Sequence, residues 1–363
     1  MTTTQEKINW LRLARSHNIG PITFFKLIEA FGSATKALEH FAESRPNISL
    51  CSKEKAEKEI AEIENFGAEL LCFYEEKYPQ LLREIPAPPP VLTIKGDPSF
   101  LQRNTVAIVG ARKASMHSVN FARSIAVEIG NNSIVIASGL ARGVDAAAHE
   151  GALMSGTIGV IAGGINTIYP KENEKLYRHI IDFGVLVSEV PFDAPPKGEN
   201  FIQRNRIISG LSLATIVVEA GLKSGSLATA RFALEQGREV FAVPGSPFDL
   251  RCKGTNRLIK EGAAIFENID DFLEVFPHLK MSVSAKISSK PIFLEKSEII
   301  ADNDLARVRS EILQKVSHVP ITVDEIVSDL KVSPKLVNVA LIELEMEDKI
   351  DLNSGRIALS ASS

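Results

Sequence analysis

A chain of 363 residues with 45% hydrophobic content is long enough for two or three domains, each with its own core. Its formal net charge of −4 excludes a generally basic coat, so contact with a polyanion has to come from a local positive site. Cys51, Cys72 and Cys252 form neither a C-x-x-C pair nor a disulfide framework, and neither a signal peptide nor a long apolar run is present, so a reducing, cytoplasmic setting without a membrane span is expected.

Residues 1–76 read as short helices: INWLRLARSH, ITFFKLIEAFG, ATKALEHFAE and KEKAEKEIAEIENFGAELL. The turn Asn18-Ile19-Gly20-Pro21 resembles the hairpin of helix-hairpin-helix or sterile-alpha-motif-like modules, where a glycine lets backbone amides approach a phosphate; a helical packing module without a ligand fits the same pattern. From Tyr78 the proline-rich YPQLLREIPAPPPVLTIKGD forces extended chain, places a domain boundary near 77 and ends in a strand, VLTIKG.

Beyond this strand, apolar runs alternate with helical patterns: TVAIVG and a helix from about Ser115; SIVIASG and VDAAAHEGALMSG; TIGVIAGG and KENEKLYRHIIDFG; VLVSEV and a helix capped by Asn200; ATIVVEA and SLATARFALEQG; then EVFAVPG. Strands that are apolar throughout, repeated in β-α units, imply a parallel sheet covered on both faces. The expected fold is therefore α/β, a doubly wound Rossmann-like domain over 77–276. The Ser- and Lys-rich stretch 277–302 reads as a linker. Residues 303–363 read as a winged helix: a helix over about 304–317, Thr322 and Glu325 spaced as a capping box, Pro334 at a helix start, and two short strands around Asn353-Ser354-Gly355. Lys335 and Lys349 face Glu343, Glu345, Glu347 and Asp348, which favours a partner or regulatory role for this module over duplex binding.

In doubly wound folds ligands bind outside the carboxyl ends of the strands. Four loops there share one character: Gly110-Ala111-Arg112-Lys113-Ala114-Ser115; Ser138-Gly139-Leu140-Ala141-Arg142-Gly143; Gly163-Gly164 followed by Tyr169-Pro170-Lys171; and Ser224-Gly225-Ser226. Glycine turns at helix starts expose amides to an anion, and the cations complete a phosphate grip. The Asn200 helix puts Phe201, Arg204, Asn205, Ile208 and Leu211 on one face. A guanidinium and an amide within an apolar stripe need a partner, either an internal carboxylate such as Asp145 or Glu219 or an anionic ligand, with Phe201, Tyr169 or Phe192 available to stack on a base. The first loop is not G-x-G-x-x-G, and no acidic residue is placed for a ribose. Asp145 and His149, one helical turn apart, suit a hydrogen bond fixing the loop better than acid–base or metal chemistry.

At these residues the chain resembles the bacterial DNA-processing DprA, or Smf, family, through VGARKAS, SGLARGVDAAAH, GGINTIYPKEN, SEVPFDAPPKGENFIQRNRIISGLS, VVEAGLKSGSLATARFALEQGREVFAVPGSP and GTNRLIKEGA in that order. Ile202 stands where the family commonly has proline, and Ala111 where it often has serine. The resemblance implies single-stranded DNA binding by the Rossmann-like domain, a homodimer through that domain, and delivery of DNA to the RecA recombinase in natural transformation. It carries the family's DNA pocket onto Arg112, Lys171, Asn200, Phe201, Arg204 and Asn205, with Gly110, Ser115, Ser138, Gly139, Gly143, Ser224, Gly225 and Ser226 around them. No cofactor, metal or catalytic residue is expected. The rival reading is a nucleotide-binding sensor or a nucleoside-monophosphate phosphoribohydrolase; those enzymes carry P-G-G-x-G-T-x-x-E, and Thr229 stands here where their catalytic glutamate would be. The excess of apolar residues between Gly254 and Phe276 points to a dimer surface around Leu258 and Ile259.

Overall fold

The computed structural model describes residues 4–44, 49–280, 305–332, 334–353 and 355–360. Most of the expected linker, 281–302, lies outside the described residues, and Pro277–Leu279 form a short 3-10 turn.

Four helices open the chain: α1 (Thr4–Ala14), α2 (Pro21–Phe31), α3 (Ala34–Ser44) and α4 (Lys53–Asn65). Pro21 starts α2 with its φ preset and no N–H to satisfy, and Ser52 caps α4 by accepting the Lys55 N–H. Their core is aromatic: Trp10 lies 4.8 Å, centroid to centroid, from both Phe24 and Tyr74. The same cluster takes in Leu70, Cys72 and Val91, so this unit packs onto the central sheet.

The helical pattern ends earlier than expected. Gly67, at φ +68°, turns the chain out of α4, and Glu69–Cys72 becomes strand β1, antiparallel to β2 (Val91–Gly96) with Leu71 opposite Leu92. A four-residue helix, α5 (Gln80–Arg83), lies between them. The alternation then proceeds as β3 (Thr105–Val109), α6 (Met116–Gly130), β4 (Val135–Ser138), α7 (Val144–Ala152), β5 (Thr157–Val160) and α8 (Glu174–Phe183). It continues as β6 (Val185–Ser188), α9 (Gly198–Gly210), β7 (Ala214–Val217), α10 (Ser226–Glu235), β8 (Glu239–Ala242), α11 (Lys253–Lys260), β9 (Ala264–Ile265) and α12 (Ile269–Val275).

The nine strands form one mostly parallel sheet in the order β1-β2-β6-β5-β4-β3-β7-β8-β9. Every residue of β3, β4, β5, β6 and β7 is buried, as an uninterrupted apolar run predicts. Ile207, Ile208, Ala230, Ala233 and Leu258 cover one face, and Ile125, Ala147, Ala148 and Phe272 the other. The chain builds outward from β3 to β6, then α9 crosses back so that β7 pairs with the other side of β3. This reversal is a topological switch point, the place where doubly wound folds bind ligands at the carboxyl ends of their strands.

The C-terminal unit consists of α13 (Leu305–Lys315), β10 (Ile321–Thr322), α14 (Val323–Leu330), α15 (Pro334–Met346), β11 (Ile350–Asn353) and β12 (Arg356–Leu359). Its sheet runs β10-β12-β11, and Thr322 and Glu325 complete the expected capping box, giving a winged helix. Arg309 holds Glu343 (3.1 Å) and Glu347, and Lys349 lies 2.7 Å from Glu347, so part of the acidic face of α15 is paired internally. The side chain of Lys335 lies outside the described residues. No described helix is long and apolar enough to cross a membrane.

Candidate functional site

Helix α9 runs across the switch point. Pro195 and Pro196 keep the chain extended up to its N-cap, Lys197, so the helix begins at Gly198 and Asn200 falls in its first turn rather than capping it. The expected face is present: Ile208 and Leu211 are buried in the core, and Arg204 and Asn205 are buried against the loops. Only 7% of Arg204 is exposed. Its Nη2 donates to the Gly139 carbonyl at 2.8 Å and its Nε has no partner, while Asp145 acts on it as a nearby charge and Glu219 is engaged by Ser115 and Ser118. Gly139 leaves room for the guanidinium, which a Cβ at that position would displace.

Burial lowers the Arg204 pKa to about 10; nearby Asp145 opposes the shift and Arg112 adds to it. The group is still a cation at neutral pH. Asp145 is its nearby opposite charge, and the guanidinium keeps donors that no group of the fold takes up. The other side chains converge around it. Asn205 Nδ2 donates to the Gly225 carbonyl at 3.1 Å, linking α9 to the loop after β7, where the Ser224 and Ser226 hydroxyls lie 2.7 Å apart at the start of α10. The Arg112 guanidinium stands 5.1 Å from the Phe201 ring centroid, and the exposed Tyr169 ring lies 5.4 Å from Phe201 on an edge. A cation and two aromatic rings thus stand together beside α9. Lys171 is exposed two residues beyond Tyr169.

The loops are fixed to one another from inside. Asp145 accepts the Gly139 N–H at 3.2 Å, with the Ala141 and Gly110 amides also on its carboxylate, and burial raises its pKa. Asn173, which the sequence presents only as the end of the lysine loop, donates through Nδ2 to the carbonyls of Leu140 (2.9 Å) and Ala141 (3.1 Å). Gly143 sits at φ +75° with no room for a Cβ beside the Ala111 carbonyl, and Gly110 packs on Val144, so the first two loops interlock.

Two expected anion ligands have other work. The Ser115 hydroxyl caps α6 and lies 2.8 Å from Glu219, which also takes the Ser118 hydroxyl at 2.8 Å. Ser138 is fully buried and donates to the Ile108 carbonyl at 2.6 Å. Both hydroxyls are used inside the fold, which a sequence pattern of serines at strand ends does not distinguish from ligand contacts. Leu258 also turns inward: it is 8% exposed and belongs to the core under β8, with Ile259 half-buried against it, so Leu258 offers no surface to a second copy. The exposed apolar residues nearby in sequence are Ile265 and Val275, together with Phe248 and Leu250.

Fold and geometry together define a doubly wound α/β protein with a cradle of interlocked loops around a buried arginine at its switch point, set between a small helical unit and a winged helix. The family model for DNA recombination-mediator protein A matches residues 69–277, that for the DprA-like N-terminal HHH domain 4–61, and that for the DprA winged helix domain 301–356. The chain belongs to the DprA/Smf family of DNA-processing proteins. It is 42% identical to the DNA processing protein DprA of Bacillus subtilis over 61% of this chain and 76% of that one. It is 31% identical to the protein Smf of Synechocystis over 94% of this chain and 95% of that one. Among solved structures it is similar to DNA processing protein A from Streptococcus pneumoniae, with TM-score 0.64, 30% identity, 76% of this chain and 98% of that one. The likeness extends to DNA processing protein A from Helicobacter pylori, with TM-score 0.54, 33% identity, 58% of this chain and 96% of that one.

Proposed function

We propose that this chain binds single-stranded DNA in the cradle, without chemical turnover, and hands it to the RecA recombinase. The observation that carries this reading is Arg204: a buried cation with an unpartnered Nε and no carboxylate in ion-pair range, resting on a glycine and flanked by a second arginine. A phosphate supplies the missing charge and acceptors. The Tyr169, Phe201 and Arg112 rim suits a base or sugar next to that phosphate, and a rigid duplex does not thread phosphates into a crevice at strand ends. The Helicobacter pylori relative is described for its single-stranded DNA binding mode, which supports the same ligand here. Delivery to RecA and a cytoplasmic site of action rest on membership of a recombination-mediator family. The hydrolase reading lacks its carboxylate: Thr229, at the corresponding place, is buried within α10.

A pair of chains would set two cradles on one particle and raise avidity through effective concentration. The outer strand β9 pairs only with β8 and leaves Ile265 exposed, which favours this edge as the self-association surface. The deciding experiment is a salt-controlled titration with matched single- and double-stranded oligonucleotides. A strong preference for the single strand is expected, and equal affinity for both forms overturns the reading.

A further inference from the structure

The DNA loop after β3 runs directly into a contact with the winged helix. Ser115 closes the loop by capping α6, and the next residue, Met116, is 4% exposed and buried not in the Rossmann-like core but among Val308, Ile312 and Val316 of the C-terminal unit. A second contact stands across the same seam. Arg251, held by Asp249 through Nε (3.0 Å) and Nη2 (2.8 Å), donates Nη1 to the Gln314 carbonyl at 2.8 Å and Nη2 to the Val316 carbonyl at 2.7 Å. Those carbonyls end α13, where a helix leaves acceptors unsatisfied and where a cation is favoured by the helix dipole. Between the two contacts, His117, Ser118 and Phe121 of α6 and Pro244, Gly245 and Ser246 face Ser317, His318 and Val319 across a narrow cleft.

We propose that the docked winged helix braces the DNA loop, with Met116 and Arg251 as positioning residues for Arg112. This inference rests on the single-stranded DNA reading above. The path is short and joins an apolar contact, two hydrogen bonds and a ring contact. Met116 is pinned by the C-terminal unit; Ser115 and Ser118, on either side of it, are tied to Glu219 at the end of β7; and Arg112, three residues before Ser115, packs on Phe201. Releasing the winged helix frees the first turn of α6 on one side, and the loop then has to be ordered when DNA binds. Ordering a free loop on binding weakens affinity without removing any contact. Coupling of this kind is reciprocal, so DNA in the cradle must also steady the end of α13.

The test uses the full chain and a fluorescent oligo-dT of twenty nucleotides at fixed salt, with hydrogen exchange of the free and bound protein. Met116→Ser and Arg251→Ala are expected to weaken binding by roughly three- to ten-fold and to speed amide exchange over 110–119. Exchange over 221–226 should stay as in the wild type, and Met116→Leu should restore both properties. Adding the oligonucleotide to the wild type should slow exchange over 312–317. The brace is overturned if both variants bind as tightly as the wild type, or if exchange over 312–317 ignores the DNA while the wild type binds it. A wild-type chain that binds no oligo-dT overturns the DNA reading instead; the brace itself is then decided by exchange over 110–119 in Met116→Ser, unchanged exchange refuting it.

Discussion

His149 Nε2 accepts the backbone N–H of Leu140 at 3.3 Å, and this bond sets both the tautomer of the histidine and the shape of a cradle loop. The Thr157 hydroxyl donates to the Ile136 carbonyl at 2.7 Å, so at the 2.7 Å contact between Thr157 and His149 Nδ1 the ring must be the donor. The imidazole is therefore neutral, protonated on Nδ1 and accepting on Nε2. Leu140, a β-unbranched residue at φ +54°, is held in the left-handed region by this bond and by Asn173 on its carbonyl.

That arrangement predicts acid sensitivity with a definite sign. Burial first, and Arg204 second, push the His149 pKa from 6.5 down to about 3. Between those values the unfolded chain takes up a proton that the folded chain refuses. The stabilisation is whole above pH 6.5 and falls as pH drops through the window, by at most about 1.4 kcal/mol per pH unit, or roughly 2 kcal/mol by pH 5. Asp145, whose pKa burial raises, contributes with the opposite sign as pH falls. Melting curves between pH 7 and 5 are expected to show a decline that His149→Gln flattens; a variant with the wild-type slope would refute the assignment.

Arg204→Ala, Arg112→Ala and Lys171→Ala are each expected to weaken single-stranded DNA binding at least several-fold. Inside the fold Arg204 gives one hydrogen bond, to the Gly139 carbonyl, so the melting temperature of Arg204→Ala should stay within a few degrees of the wild type. Three or four phosphate contacts give a slope of about −2 to −3 for log affinity against log salt, and each lost contact should flatten it by about 0.7. A collapse of the fold in Arg204→Ala would instead assign the guanidinium a purely internal role.

Gly139→Ala displaces the Arg204 side chain, because the added methyl group occupies its place. Its binding defect should match that of Arg204→Ala, and the double variant should be no weaker than either single one. Additive losses in the cycle would show that the two residues act separately.

Two substitutions close in sequence should part company. Leu258→Glu puts a charge into the core and is expected to unfold the domain, whereas Ile265→Glu, on a side chain 49% exposed at the outer strand, is expected to give a folded monomer with lower DNA avidity. Light scattering at tens of micromolar decides; a wild-type monomer at that concentration would end the dimer proposal.

The order of the β-α units, the Thr322 capping box and the polar face of α9 were legible because each is written in a local period or a local hydrogen bond. Where the deciding partner is distant, the sequence misleads. Glu69–Cys72 follows a charged helical pattern without a break in composition, and only its pairing with β2 makes it a strand. Ser115 and Ser138 carry the same residue type as Ser224 and Ser226, yet Glu219 and the Ile108 carbonyl claim their hydroxyls. Leu258 belonged to a count of apolar residues too large for one stripe; the surplus is taken up by the core beneath β8 and by Ile265 and Val275 outside. Asn173 gave no signal beyond its place after a lysine, since its two acceptors lie more than thirty residues away.

Strand β1 belongs by chain order to the helical unit and by hydrogen bonding to the sheet, and that double membership constrains how the protein can be divided. A protease or a truncation that cut at residue 77 would strip β2 of its outer neighbour and uncover Leu92 and Ile94, both now buried, along a ladder of unpaired amides. Such a fragment would tend to stack edge to edge, and its aggregation would be mistaken for self-association through the opposite rim. A cut within 66–68, ahead of the strand, keeps that seam closed.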